Sequence, residues 1–187
     1  MGQARALRGG RARSLGLTRV LIVLGGLPGT GKTTVARALA ERLQAVHVRV
    51  DTIEQAMREC DVLKADVGPA GYQVAYGVAA DNLRLGRIVV ADSVNPIRVT
   101  RDAWLDVARR AGVRAAEVEV ICSDSVEHRR RVETRTADIE GHRLPTWQAV
   151  VDRHYESWDR EHVVVDTARM GVDEQVSALV GRLGCRQ

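Results

Sequence analysis

Gly26-Leu27-Pro28-Gly29-Thr30-Gly31-Lys32-Thr33-Thr34 is the stretch that decides the fold, because it joins two segments of different periodicity. Before it, Thr18 to Gly25 is nearly all apolar and rich in β-branched residues, as in a strand buried on both faces of a parallel sheet. After it, Val35, Ala36, Leu39, Ala40 and Leu43 recur at helical spacing across Lys32 to Leu43. A strand-to-helix turn with the spacing G-x-x-x-x-G-K-T has a definite chemistry. Its glycines let the backbone curl so that successive N–H groups and the helix N-terminus face phosphate oxygens, which a Cβ would obstruct. Gly26, Leu27, Pro28, Gly29, Thr30 and Gly31 are thereby expected to cradle the phosphates of a nucleotide. Lys32 is placed to neutralise β and γ oxygens, Thr33 to offer a hydroxyl to Mg²⁺, and Thr34 to donate to a phosphate nearer the nucleoside.

Working outward, strands and helices alternate. A second strand is expected at Val46 to Val50, with Asp51 at its carboxyl end. Helical patterns cover Thr52 to Cys60 and Tyr72 to Leu85, separated by Gly68-Pro69, and the strand Arg87 to Ala91 delivers Asp92. A helix from Thr100 to Ala111 stops at Gly112. A strand from Ala116 to Cys122 then leads to a helix starting near Ser125 and to the polar segment Thr136 to Pro145. Thr146 to Trp158 is expected to be helical, Val163 to Val165 a last strand and Val172 to Leu183 a closing helix. Such alternation implies a parallel, three-layer α/β/α sandwich.

In open parallel sheets ligands gather beyond the carboxyl ends of the strands, so acids located there carry most weight. Asp92 follows an apolar run, as does an aspartate that holds Mg²⁺ or orients an acceptor. Asp51 could accept the proton of an acceptor hydroxyl, although Asp51-Thr52-Ile53-Glu54 also has the form of a helix capping box. Asn95 and Arg98 follow Asp92 and are candidates for gripping the acceptor. Phosphoryl transfer also needs cations that close late over the site. Arg131 and Arg135 share one face of a helix and are the candidates, with Glu127 able to pair with Arg130 or Arg131. The few apolar residues in Thr136 to Pro145 suit a hinged lid.

Bulk properties narrow the classes. The 187 residues suit one domain, and with no Phe and 3% aromatic residues the core must be aliphatic. The formal net charge is +4, and residues 1–18 contain four arginines and no acid, so residues 19–187 are close to neutral. Residues 1–18 are expected to be a disordered basic tail and 19–187 the folded domain. No apolar stretch is long enough for a membrane span, and Cys60, Cys122 and Cys185 show no C-x-x-C pairing; both features suit a cytoplasmic protein with reduced thiols. Tyr72 and Tyr76 read as core packing, Trp104, Trp147 and Trp158 as partly buried anchors, and the five histidines show no metal-binding spacing.

With these motifs in place, the chain resembles the small P-loop kinases grouped as AAA-domain-like ATPases, relatives of polynucleotide kinase, gluconate kinase, chloramphenicol phosphotransferase and zeta toxins. The resemblance runs from about Val20 to Thr167. It rests on Gly26 to Thr34, on Val50-Asp51, on Val89 to Asn95, and on Arg131 to Arg135 with Leu144 to Trp147. It implies a five-stranded sheet in the order 2-3-1-4-5 with a short lid, Asp51 as acceptor-side base, Asp92 near metal or acceptor, and Arg131 and Arg135 as lid cations. One departure stands out: such kinases often have an arginine three residues after the second-strand aspartate, where this chain has Glu54, with Arg58 one helical turn on. The implied activity is transfer of the γ-phosphoryl of Mg-ATP to a hydroxyl of a small molecule. A polynucleotide 5′-hydroxyl kinase is the alternative, disfavoured by the near-neutral core and scarce aromatics. A nucleotide-dependent switch or a binding module with little turnover remains open, whereas a ring-forming motor would need a further helical domain and a GTPase an N-K-x-D motif.

Overall fold

The computed structural model describes residues 19–60 and 67–184. The expected basic tail and Cys185 lie outside them. Five strands form one parallel sheet: β1 (Val20–Gly25), β2 (Val46–Arg49), β3 (Val89–Asp92), β4 (Arg114–Ile121) and β5 (Val163–Asp166), in the spatial order β2-β3-β1-β4-β5. The helices are α1 (Lys32–Leu43), α2 (Val50–Arg58), α3 (Ala70–Arg84), α4 (Arg98–Ala111), α5 (Ser125–Thr134), α6 (Trp147–Val151) and α7 (Val172–Leu183).

Every residue of β1 is buried, because alternate side chains serve two separate cores. Val20, Ile22 and Leu24 pack with Leu39 and Leu43 of α1 and Leu179 and Leu183 of α7. Leu21 and Val23 pack on the opposite face with Ala75, Ala79 and Leu83 of α3 and Trp104 and Val107 of α4. Each fully buried aliphatic side chain contributes about 1.5–3 kcal/mol. This aliphatic sandwich is what holds the strand ends, and the turns that follow them, in a fixed array.

Three expectations about elements need correction. β2 ends at Arg49, so Asp51 belongs to the first turn of α2 rather than to a strand end, and no side chain caps that helix. The segment Thr146 to Trp158 is helical only from Trp147 to Val151. Beyond it the backbone serves Arg101 of α4, which is fully buried and donates to the carbonyls of Asn95, Pro96, Glu156 and Ser157. Trp104 is fully rather than partly buried, with the Tyr76 ring edge-on at 4.6 Å. Among the described residues no helix is long and apolar enough to cross a membrane.

Candidate active site

The glycine-rich turn leaves β1 at Gly25 and enters α1 at Lys32, with Gly31 in the left-handed conformation as its N-cap. Gly31 offers no side chain to the helix, so the first-turn amides of α1 have no side-chain cap to compete with a phosphate. Two positions demand glycine. Gly26 has φ +141, and a Cβ there would lie 2.2 Å from the carbonyl oxygen of Val120. Gly29 has φ +86, and a Cβ there would lie 2.4 Å from Cγ2 of Val132. The turn is further held by Gly26 N donating to Val94 O at 3.0 Å and by the Thr30 hydroxyl donating to Leu27 O at 2.9 Å.

Two contacts from distant segments brace the same turn. Thr167, just past β5, donates its hydroxyl to Thr30 O at 2.7 Å, and His128 of α5 donates through Nε2 to Pro28 O at 2.9 Å. The hydroxyl of Thr167 also accepts from Arg131 Nη1 at 2.7 Å, while Arg131 Nε pairs with Glu127 at 2.7 Å. Arg131 is thus docked beside the phosphate turn. Neither His128 nor Thr167 carries a sequence signal for this role, since the contacts span 100 and 137 residues.

Behind the turn lies a buried ionic group. Asp92 is 2% exposed; its Oδ1 is 3.3 Å from Lys32 Nζ and its Oδ2 3.3 Å from His47 Nε2. Burial opposes the charged carboxylate, but Lys32, His47 and Thr33 together outweigh it and hold its pKa well below the usual carboxylate range. His47 was missed because its partner comes from the neighbouring strand β3. The ionised Asp92 carboxylate beside the Thr33 hydroxyl is an oxygen donor set of the kind magnesium prefers, so these residues fit an Mg-nucleotide. Among the described residues no cluster of three or more His, Cys, Asp or Glu could hold a metal without a ligand's help.

A cleft of ≈ 1070 Å³ opens beyond the strand ends. Leu27, Pro28, Gly29, Gly31, Lys32, Thr33 and Thr34 line one part of it, whereas Gly26 and Thr30 support the turn from within. Asp51, Arg131 and Arg135 line it too, so the expected base and both expected cations share one cleft with the phosphate turn. Asn95 and Arg98 are not brought there. Asn95 has φ +53 and is fully buried; its N donates to the Tyr72 hydroxyl and its carbonyl accepts from Arg101, so it shapes the turn after β3 from behind. Arg98 points to solvent and pairs with Asp159 at 3.1 Å and Asp102 at 3.5 Å. Tyr72, read from its spacing as a core residue, lines the cleft, and burial raises its pKa.

The segment joining α5 to α6 runs along the cleft and is tied down by Asp138. That carboxylate accepts from Arg49 Nη1 at 2.7 Å and Nη2 at 3.0 Å and pairs with Arg37 of α1. The Arg49 contacts and then Arg37 hold its pKa well below the usual range, against the opposing effect of burial. Arg49 Nη2 also lies 3.9 Å from Asp51 Oδ2. Arg49 therefore links the segment to the candidate base, a role that one residue two places before Asp51 does not announce.

The parallel sheet, the phosphate turn and the buried lysine–aspartate pair define a P-loop nucleotide-binding domain. A pattern for the AAA domain family matches residues 21–170, and the chain belongs to that family. It is 32% identical over 119 residues to an uncharacterised protein of Mycobacterium tuberculosis (strain ATCC 25618 / H37Rv); the match takes in 57% of this chain but only 24% of that protein. It is 32% identical over 136 residues to the shikimate kinase of Corynebacterium efficiens, covering 64% of this chain and 80% of the relative. Among solved structures, the Mycobacterium tuberculosis APS kinase CysC in complex with AMPPNP and APS superposes with a TM-score of 0.66 at 18% identity, over 90% of this chain and 99% of that one. A gluconokinase of Sinorhizobium meliloti gives a TM-score of 0.58 at 22% identity, over 90% and 97%. At these identities the two structures attest the fold.

Proposed function

We propose that the chain transfers the γ-phosphoryl group of Mg-ATP to a hydroxyl of a small-molecule acceptor. The observation that carries this reading is the shared cleft: a phosphate cradle, a carboxylate and two guanidinium groups face one space large enough for a nucleotide and a second molecule. Relatives named as shikimate kinase, APS kinase and gluconokinase support the same class of reaction.

In this reading the amides from Gly29 to Thr34 hold the phosphates, and Lys32 turns from Asp92 to the β and γ oxygens. Asp51, with a side chain 34% exposed in the cleft, accepts the acceptor's proton as its oxygen attacks phosphorus. Arg131, fixed by Glu127 and Thr167, stabilises charge on the transferred group, and Arg135 approaches from the Asp51 end. Thr33 and Asp92 are the residues that would hold Mg²⁺, which supplies neutralisation of the phosphate oxygens when bound. Closing the α5–α6 segment over the cleft excludes water, so that transfer is favoured over hydrolysis.

The test is incubation with Mg²⁺ and γ-labelled ATP against hydroxyl-bearing metabolites, nucleosides and 5′-hydroxyl oligonucleotides. Label is expected on a small molecule and is expected to be lost in Lys32→Ala and Asp51→Asn. Label confined to oligonucleotides would move the reading to polynucleotide kinase. Label appearing only as inorganic phosphate, at an equal rate in Asp51→Asn, would remove the acceptor step altogether.

A further inference from the structure

The charge lining the cleft describes the acceptor further. Among the described residues seven arginines line it, and four are answered by the chain's own carboxylates: Arg37 and Arg49 by Asp138, Arg58 by Glu54 at 3.0 Å, and Arg131 by Glu127. Arg135, Arg143 and Arg153 are not; among the described residues no carboxylate oxygen lies within 4.0 Å of their guanidinium groups. Arg135 is the most demanding of the three. It is half-buried, and its Nε is enclosed without a hydrogen-bond partner. A desolvated guanidinium left unanswered is costly, and a planar anion able to accept two parallel N–H bonds removes that cost.

Position distinguishes acceptor from nucleotide. Arg131 stands over the phosphate turn through Thr167, and with Lys32 and the N-terminus of α1 it meets the charge of the nucleotide. Arg135 feels Asp51, Arg49 and Asp138 instead, at the other end of the cleft. Arg143 follows His142, which is close enough to Glu54 of α2 to stabilise its charge, and so belongs to the same end. Glu54, the acid that would repel an anion there, is already paired with Arg58.

On the kinase reading above, we infer that the acceptor bears, beside the hydroxyl presented to Asp51, an anionic group that seats against Arg135 and Arg143, with Arg153 lining the same cleft. Carboxylate and phosphate share the chemistry these forks recognise. Arg143 and Arg153 are exposed to solvent, so it is the half-buried Arg135 that a neutral sugar or a cationic aminoglycoside would leave unanswered.

The experiment uses matched pairs with Mg²⁺ and γ-labelled ATP: hydroxy acids against their amides, and sugar phosphates against the free sugars. The charged member is expected to be phosphorylated with a kcat/KM about 10-fold or more above its neutral partner. Arg143→Gln and Arg153→Gln are each expected to raise the KM for that acceptor about 10-fold while shifting the KM for ATP less than about twofold. The arm that takes label tells carboxylate from phosphate. Equal use of neutral and charged members, or variants that raise the KM for ATP and not for the acceptor, would overturn the inference and leave the kinase reading standing. No label on any member, with ATP hydrolysed, would remove the kinase reading and this inference together.

Discussion

At Asp92 one buried carboxylate answers Lys32 with one oxygen and His47 with the other. Removing it leaves the Lys32 ammonium, in a side chain 7% exposed, without a counter-charge. Asp92→Asn is therefore expected to lower stability by about 3 kcal/mol at pH 7, measured by urea unfolding. The folded-state pKa lies below the unfolded value of about 3.9, so this stabilisation is present above pH 4 and lost as the pH falls toward the folded pKa. The gap between wild type and variant should narrow below about pH 4; a gap as wide at pH 2.5 as at pH 7 would show that the carboxylate's charge is not its source. The aspartate after an apolar strand was visible in the sequence, but its histidine was not. His47 stands 45 residues earlier, and only pairing of β2 with β3 brings it within reach.

Elements were legible where periodicity decides them and illegible where a single long-range contact overrides it. β1, α1, β5 and α7 fall within a residue or two of their expected limits, because two-faced burial and a helical stripe are local properties of the chain. The stretch after α6 has an equally helical pattern, yet Arg101 claims the carbonyls of Glu156 and Ser157 and lies 4.2 Å over the Trp158 ring. Arg101→Ala would take the guanidinium donor from the carbonyls of Asn95, Glu156 and Ser157 and one of two donors from that of Pro96. It is expected to cost about 3–5 kcal/mol and to raise amide exchange around residues 155–158. Arg101→Lys should recover little, because one ammonium cannot span the four acceptors that the guanidinium reaches. Recovery of full stability by lysine would show that charge alone, and not the fork, organises the segment.

For the whole molecule, ligand binding should register as stability, since the phosphate turn is braced by residues as distant as His128 and Thr167. Mg-ATP at about 100 times its dissociation constant adds about 2.7 kcal/mol to the folded state, which for a domain of this size is a rise of about 5–10 °C in Tm. Scanning calorimetry with a non-hydrolysable analogue checks this, and Lys32→Ala should abolish most of the rise. An unchanged Tm in the wild type at saturating analogue would contradict nucleotide binding itself. The sequence by itself determined the strand, the glycine turn and the helix after it, and with them the α/β class, because hydrophobic period and glycine spacing act between residues close in the chain. Tertiary structure alone decided that Arg49 and Arg37 meet Asp138, that Arg131 leans on Thr167, and that Asn95 and Arg98 stay out of the cleft. Those pairings join residues up to 101 positions apart, and short-range patterns carry no record of which distant partner packing will supply.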